Sequence, residues 1–145
     1  MSTGSPEERF SSALHSTARL WRVALDARLK HLGMSQAGWM TIAMIAKADT
    51  PPSQAELAAQ LSVEPATMVA MIDRLEKAGF VVRVASETDR RVRHIHLKPA
   101  GDAAYAEVRK AATAYRATLL EGIPADRLAD LTHLLEQIQT RIETS

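Results

Sequence analysis

Cysteine is absent from the 145 residues, and aromatic side chains make up only 4% of them. The first absence excludes disulfides, iron–sulfur clusters, cysteine-ligated zinc and thiol redox chemistry. The second leaves few platforms on which bases or sugars could stack. No apolar run approaches the roughly 18 residues that cross a bilayer, and the acidic start MSTGSPEERF does not resemble a secretory signal. We therefore expect a cytoplasmic protein that contacts no membrane.

Neither sign of charge dominates the chain, which has 18 basic and 17 acidic residues. A chain with a net charge of +1 attracts an anionic polymer only through local clustering. One segment carries such a cluster, with about +3 of charge, and its charged residues are Arg83, Arg90, Arg91, Arg93 and Lys98 against Glu87 and Asp89. This local excess is typical of a nucleic-acid contact.

Capping signals divide the first half of the chain into helices. Ser5 with Pro6 and Glu8 predicts a first helix, which we expect to run to Gly33. Ser35 begins a second helix, which Pro51-Pro52 follow. The residues predicted to be buried in this second helix are Trp39, Ile42, Ala43 and Ala46.

A short helix, a turn and a longer helix come next. Ser53 and Glu56 form a capping box, Ser62-Val63 makes the turn, and Glu64-Pro65 opens a helix over about 64–78. Residues 80–84 and 93–97 then alternate with period two, as strands do, around a charged loop. This order predicts a winged helix-turn-helix with a recognition helix at 64–78 and a wing at 83–97. The alternative for the two helices alone is an ordinary helical hairpin.

Long helices with apolar stripes flank this module. The module can form its own core, so these stripes are predicted to pack across a two-fold homodimer; a monomeric bundle is the alternative. The fold class is mainly α with a small β-wing, divided into dimerisation segments 1–34 and 99–145 and a DNA-binding module 35–98. The predicted dimer-interface residues are Phe10, Leu14, Leu128, Leu131, Leu135, Ile138 and Ile142.

No enzyme signature is present: the chain lacks a Gly-x-Ser-x-Gly elbow, a phosphate loop, a Gly-x-Gly-x-x-Gly fingerprint and a His-Glu-x-x-His site. His94 and His96 share one face of a strand, but two imidazoles are too few for a closed zinc site. We expect neither catalysis nor a metal or other cofactor. The histidines are predicted to face solvent near phosphate.

Three stretches carry a family resemblance. They are GMSQAGW at 33–39, SQAELAAQLSVEPATMVAMIDRLEKAGFVVR at 53–83 and ETDRRVRHIHLKPAG at 87–101. Together they resemble the MarR family of bacterial regulators, and residues 17–42 are similar to its SlyA branch. The resemblance implies a homodimeric winged helix-turn-helix regulator that binds double-stranded DNA at an inverted repeat. It also implies a small anionic aromatic or phenolic effector, bound between the dimerisation helices and the DNA-binding module.

The resemblance assigns roles in the wing. Asp89 and Arg91 are expected to brace the loop and Arg90 to enter a minor groove, although the two arginines can exchange roles. A solvated charged turn is the alternative. The DNA-binding set is Ser53, Gln54, Pro65, Ala66, Thr67, Val69, Ala70, Arg74, Arg83, Asp89, Arg90, Arg91 and Arg93.

Two departures from the family pattern stand out. Val69 and Ala70 occupy positions where Ser and Arg are frequent, so a bidentate contact to guanine is missing. We expect DNA binding to depend more heavily on the wing, on DNA shape and on phosphate contacts from Thr67, Arg74 and Arg83. The alternative is a module of the same fold that has weakened operator readout and binds a small molecule or a protein. Lys98 replaces a capping Thr, at a cost of about 1 kcal/mol that Pro99 partly offsets.

The predicted effector site lies between the first, second and fifth helices. An apolar pocket there needs one or two cations to fix a carboxylate or phenolate. The candidates are Arg19, Arg22, Arg28, His31, Gln36 and Trp39. For Trp39 a core role is the stronger interpretation, and the arginines can instead form surface ion pairs with Asp26.

Overall fold

The computed structural model describes residues 4–145, and residues 1–3 of the predicted segment 1–34 lie outside it. It is mainly α-helical with one two-stranded antiparallel sheet, which confirms the predicted fold class. The elements are α1 (Pro6–Arg28), a 3-10 turn (Lys30–Leu32), α2 (Gln36–Lys47), α3 (Gln54–Leu61), α4 (Pro65–Lys77), β1 (Val81–Ala85), β2 (Arg93–Leu97), α5 (Pro99–Leu119) and α6 (Ala125–Glu143).

The predicted caps are present at the helix starts. The Ser5 hydroxyl accepts from the Glu8 amide at 3.2 Å, and the Ser35 hydroxyl accepts from the Gly38 amide at 3.1 Å. Each bond satisfies one of the amides that a first helical turn leaves unpaired. The cap residues therefore fix where α1 and α2 begin.

The end of α1 differs from the prediction. The α-helix stops at Arg28, and a 3-10 turn follows before Gly33 adopts a left-handed conformation at φ 69°. Gly33 thus ends the whole helical segment, as expected, but through a tighter turn. The 3-10 turn lets the chain leave the α1 axis while Leu29 stays buried.

The larger core belongs to the central module. Its buried side chains come from α2, α3, α4, both strands and the start of α5, and the most enclosed are Ile42, Leu57, Met68, Ile72, Val81 and Ile95. Met68, Met71, Ile72 and Leu75 cover one face of α4, as their helical spacing predicts. The opposite face of α4 is left for other contacts.

A second core joins α1, α2 and α5 through Leu25, Leu29, Trp39 and Val108. In α2, Trp39 and Ile42 are buried as predicted, whereas Ala43 and Ala46 are only half-buried. Small side chains at these two positions allow neighbouring helices to approach without being fully enclosed. The two cores share α2, which links the central module to α1.

Close packing holds the start of α5 against Phe80, between α4 and β1. A Cβ added to Gly101 would lie 2.2 Å from the carbonyl oxygen of Phe80, so only glycine fits there. The Lys98 amide donates to that same Phe80 carbonyl at 2.9 Å. The first turn of α5 is therefore anchored to the residue that precedes β1.

The chain divides into two compact units, one ending at Ala112 and one from Thr113 to Ser145. The second unit contains the end of α5 and all of α6. Within the described residues, no helix is long and apolar enough to span a bilayer.

Candidate nucleic-acid interface

The turn between α3 and α4 is built by local hydrogen bonds. Ser53 and Glu56 form the predicted reciprocal capping box, with bonds of 3.1 and 3.3 Å. At the other end of α3, Ser62 takes a left-handed conformation at φ 56°, and the Val63 amide donates to the Ala58 carbonyl at 3.0 Å. This tight reversal gives α3 and α4 the helix-turn-helix arrangement.

The outer face of α4 carries most of the predicted base contacts. Pro65, Ala66, Thr67, Val69, Ala70 and Arg74 are all exposed. Of these, only Thr67 and Arg74 bear side-chain hydrogen-bonding groups. The structure therefore exposes all six residues on α4, and four of them carry no polar side-chain group.

The wing is an antiparallel pair in which Val82 lies opposite His96 and Arg83 opposite Ile95. Its second strand is also anchored on its other edge, because the Ile95 amide donates to the Pro52 carbonyl at 2.8 Å and Ser53 forms a bridge with His94. The wing is thereby fixed to the start of α3, which carries the capping box.

The wing loop has the brace that the resemblance implied. One Asp89 oxygen accepts from the Arg91 amide at 3.0 Å and from the Arg91 Nε at 3.2 Å. The Ser86 hydroxyl accepts from the Thr88 and Asp89 amides, which closes the turn from its other side. Arg90 and Arg93 are exposed near this ordered loop.

Arg83 requires a correction. It was expected to contact phosphate, but its side chain is only 10% exposed and is engaged within the chain. Nε donates to Gln54 Oε1 at 2.6 Å, Nη1 to Glu76 at 2.9 Å, and Nη2 to Asp73 at 2.6 Å and to the Val69 carbonyl at 3.1 Å. The guanidinium therefore joins the wing to α3 and α4 and is not presented to DNA as a free cation.

The contact also involves the backbone, since the Arg83 amide donates to Glu76 Oε2 at 3.0 Å. This bond and the neighbouring guanidinium lower the pKa of Glu76 from its ordinary value. Glu76 and Asp73 were not assigned this role from the sequence. The sequence did contain a signal for the inward placement of Arg83, because Arg83 comes two residues after buried Val81 and so shares its strand face.

His94 and His96 lie on the outer face of the sheet and are half-buried, while Ile95 is fully buried. The part of the chain from residue 4 onward contains no group of three or more His, Asp or Glu side chains placed to hold a metal. The pair therefore stands alone on the wing, beside Val82 and Val84.

The predicted effector residues are less closely grouped. Arg19, Arg22 and Arg28 are exposed on α1, Gln36 is half-buried at the start of α2, and His31 lies 3.5 Å from Glu107 of α5. Trp39 is 5% exposed, and its indole donates to Asp26 Oδ1 at 2.8 Å. The core role of Trp39 is therefore the one the structure supports.

Asp26 also bonds Lys30 at 3.3 Å. The indole hydrogen bond, more than this ion pair, lowers the pKa of Asp26 from its ordinary value. The Asp26–Trp39 contact joins α1 to α2 across the smaller core.

The predicted dimer residues lie in both units. In the first, Phe10 and Leu14 are exposed on α1 at 42% and 38%. In the second, the α6 stripe contains exposed Leu131 and Ile142 and half-buried Leu128, Leu135 and Ile138. Each helix leaves large apolar side chains open to solvent in the single chain.

Comparisons with a family model and with solved structures identify the family of this chain. The family model described as MarR family matches residues 34–92, which include α2, α3, α4 and the first wing strand. The crystal structure of transcriptional regulator PA3341 shares 38% of residues over 94% of this chain and 99% of its own, with a TM-score of 0.88. The chain belongs to the MarR family.

Two further structures share the fold at lower identity. CouR from Rhodococcus jostii RHA1, bound to p-coumaroyl-CoA, has 20% identity and a TM-score of 0.80, covering 94% of this chain and 95% of its own. A mutant MarR from E. coli, complexed with operator DNA, has 24% identity and a TM-score of 0.77, covering 90% and 93%. Its membership of the MarR family and its 38% identity to a transcriptional regulator make this chain a transcriptional regulator, a class of DNA-binding proteins and not of enzymes. Its place in the SlyA branch stays a prediction.

Proposed function

We propose that this MarR-family regulator binds an inverted-repeat operator as a homodimer and releases it when a small aromatic or phenolic effector binds. The DNA-binding module is residues 35–98, and segments 1–34 and 99–145 supply the dimer contacts. Two recognition helices related by two-fold symmetry would enter major grooves about 34–36 Å apart.

The observation that carries the proposal is that one module presents both an exposed face of α4 and an exposed wing loop. The exposed face of α4 lies in the same module as a wing loop ordered by the Asp89–Arg91 contact, with Arg90 and Arg93 exposed beside it. Exposed arginines on an ordered loop suit a narrow minor groove, where the negative potential is focused. The operator-bound MarR structure supports the same use of this fold.

Support for an effector comes from the CouR structure, whose ligand carries an aromatic acyl group. In this chain the arginines of α1, together with His31 and Gln36, are the candidates to hold a carboxylate or phenolate. Because Trp39 is buried and bonded to Asp26, it would support the pocket wall instead of contacting the ligand.

A second function is favoured by one observation. Val69 and Ala70 give α4 little capacity for hydrogen bonds, and Arg83 is withdrawn from phosphate. A module that kept the fold but lost operator readout would look like this on α4. It would act through a small molecule or a protein partner, and would still carry an ordered wing.

The deciding experiment is fluorescence anisotropy of the full-length protein against its own upstream intergenic DNA and a shuffled copy at about 0.15 M salt. Selective binding with a steep salt dependence supports a regulator that recognises an operator. Addition of phenolic acids to that complex then tests whether an effector releases the DNA. Equal, weak binding to these and to other genomic fragments would favour the second function.

Arg90→Ala supplies the matched test of the wing. We expect a several-fold loss of DNA affinity without any change in the dimer, because the exposed Arg90 side chain is the one assigned to the groove. Arg109→Ala, a change at an exposed arginine of α5, serves as the control. Full affinity in Arg90→Ala would remove Arg90 from the interface.

A further inference from the structure

The N-terminal half of α4 exposes mainly aliphatic groups on its outer face. In helix-turn-helix proteins the N-terminal residues of the recognition helix contact base edges. Here those residues are Pro65, Ala66, Thr67, Val69 and Ala70, all exposed, with the Val69 side chain 41% exposed. Apart from the Thr67 hydroxyl, this surface offers no side-chain donor or acceptor.

The nearest polar side chains each make a contact within the chain. The Ser53 hydroxyl accepts from the Glu56 amide, and Gln54 Oε1 accepts from Arg83 at 2.6 Å. A glutamine uses both its oxygen and its amide nitrogen for bidentate recognition of adenine, and the contact with Arg83 already occupies one lone pair of the Gln54 oxygen. Asp73, one turn beyond Val69, holds the same Arg83 guanidinium at 2.6 Å.

Arg74 is the cation of α4 nearest to this half of the helix, but it lies two turns beyond Thr67 on the same flank. That position suits a phosphate at the edge of the groove more than a base edge near the helix start. Among the four bases, only thymine presents an apolar group in the major groove, its 5-methyl group. The exposed chemistry at the start of α4 therefore matches one base.

We propose that α4 selects T·A pairs in each operator half-site by packing Val69, Ala70 and the Thr67 methyl against thymine 5-methyl groups. This inference rests on the proposed DNA-binding function and adds the base class that α4 reads. Specificity on this surface comes from apolar contact, and the wing and phosphate contacts supply most of the affinity.

The test begins with selection of binding sequences from random duplex DNA by the full-length protein. The enriched duplex is then synthesised with thymine or with deoxyuridine, which pairs identically but lacks the 5-methyl group. Each lost methyl contact should weaken binding about fourfold, so two half-sites should lose on the order of tenfold in affinity.

Two matched variants locate the effect. Val69→Thr keeps the side-chain shape and replaces one methyl by a hydroxyl, so the thymine-to-uracil affinity ratio should fall several-fold. Val23→Thr makes the same change at an exposed position of α1, 55% exposed, and should keep the wild-type ratio. Both positions are on the surface, so neither variant should lose its fold.

The outcomes separate the two proposals. If selection enriches no sequence, operator binding itself is overturned. If a sequence is enriched but thymine and uracil duplexes bind within twofold of each other, methyl reading is overturned while operator binding stands. A full ratio retained in Val69→Thr would show that Val69 packs against no thymine methyl group, which overturns the set of contacts proposed for α4.

Discussion

At the scale of single residues, Gly101 is the clearest steric requirement in the chain. The Phe80 carbonyl oxygen occupies the place where a Cβ would be, 2.2 Å away, and backbone cannot move aside as a flexible side chain can. The sequence resemblance marked a glycine at the opening of α5, but the reason for it depends on a contact with Phe80, which lies far earlier in the chain. Spacing alone could not show that contact.

We predict that Gly101→Ala lowers the free energy of unfolding by about 1–3 kcal/mol, because α5 must shift away from Phe80. Urea unfolding followed by circular dichroism measures the change. Gly38→Ala is the matched control, since its added Cβ would meet its nearest neighbours at 3.4 Å, an ordinary contact. Equal losses in the two variants would contradict the steric explanation.

Asp26 makes the stability of the smaller core depend on pH. The Trp39 indole bond, aided by Lys30, lowers the pKa of Asp26 below 3.8, so the folded chain holds this proton less tightly than the unfolded chain. The stabilisation is complete above the unfolded-state pKa and is lost as the pH falls through the lower folded-state value.

Asp26→Asn should therefore cost about 1 kcal/mol at pH 7, because the bond to Trp39 loses its ionised acceptor. The difference between wild type and variant should shrink as the pH falls below about 3.9. Urea midpoints at pH 7, 4 and 3 measure it, with Asp49→Asn, an exposed aspartate after α2, as the control. A difference that stays constant with pH would contradict the assigned cause.

At the scale of elements, capping chemistry made the helix starts predictable. Ser5, Ser35 and Ser53 each cap the helix expected from the sequence, because a cap is a local hydrogen bond within three residues. The end of α1 was less predictable. Its 3-10 turn depends on burying Leu29 in a core formed with α2 and α5, and α5 is distant in sequence.

The role of Arg83 shows the same limit for charge counting. A net excess of cations distinguishes the wing segment in the sequence, but it does not show which way each side chain points. Arg83 lies on the inward strand face, where Gln54, Asp73 and Glu76 meet it from α3 and α4. The cationic wing surface therefore consists of Arg90, Arg91 and Arg93.

Arg83→Lys should separate the wing from α4, since one ammonium cannot replace a guanidinium that reaches four groups. We expect a loss of about 2 kcal/mol in unfolding free energy and faster amide hydrogen exchange in α4 and β1. Arg93→Lys, exposed on the neighbouring strand, is the control. Unchanged exchange in Arg83→Lys would contradict the role of this contact in holding α4.

At the scale of the whole molecule, the sequence periodicity identified the winged module and the long flanking helices. Periodicity shows which face of a helix is apolar, and the single chain shows that Leu131 and Ile142 remain exposed at 50% and 67%. Neither identifies what covers that face. The dimer is an inference from this exposure together with the symmetry that an inverted-repeat operator demands.

A charged side chain on this stripe tests the dimer without disturbing the folded monomer. Leu131→Glu with Ile142→Glu places two like charges where each copy would meet the other, and we expect dissociation at micromolar concentration together with loss of operator binding. Sedimentation equilibrium measures the mass, and His133→Glu with Gln137→Glu, both exposed on the face of α6 opposite the predicted stripe, adds the same charge away from it. If the Leu131 and Ile142 variant still sediments as a tight dimer, α6 does not carry the interface, and the exposed stripe of α1 becomes the surface to test next.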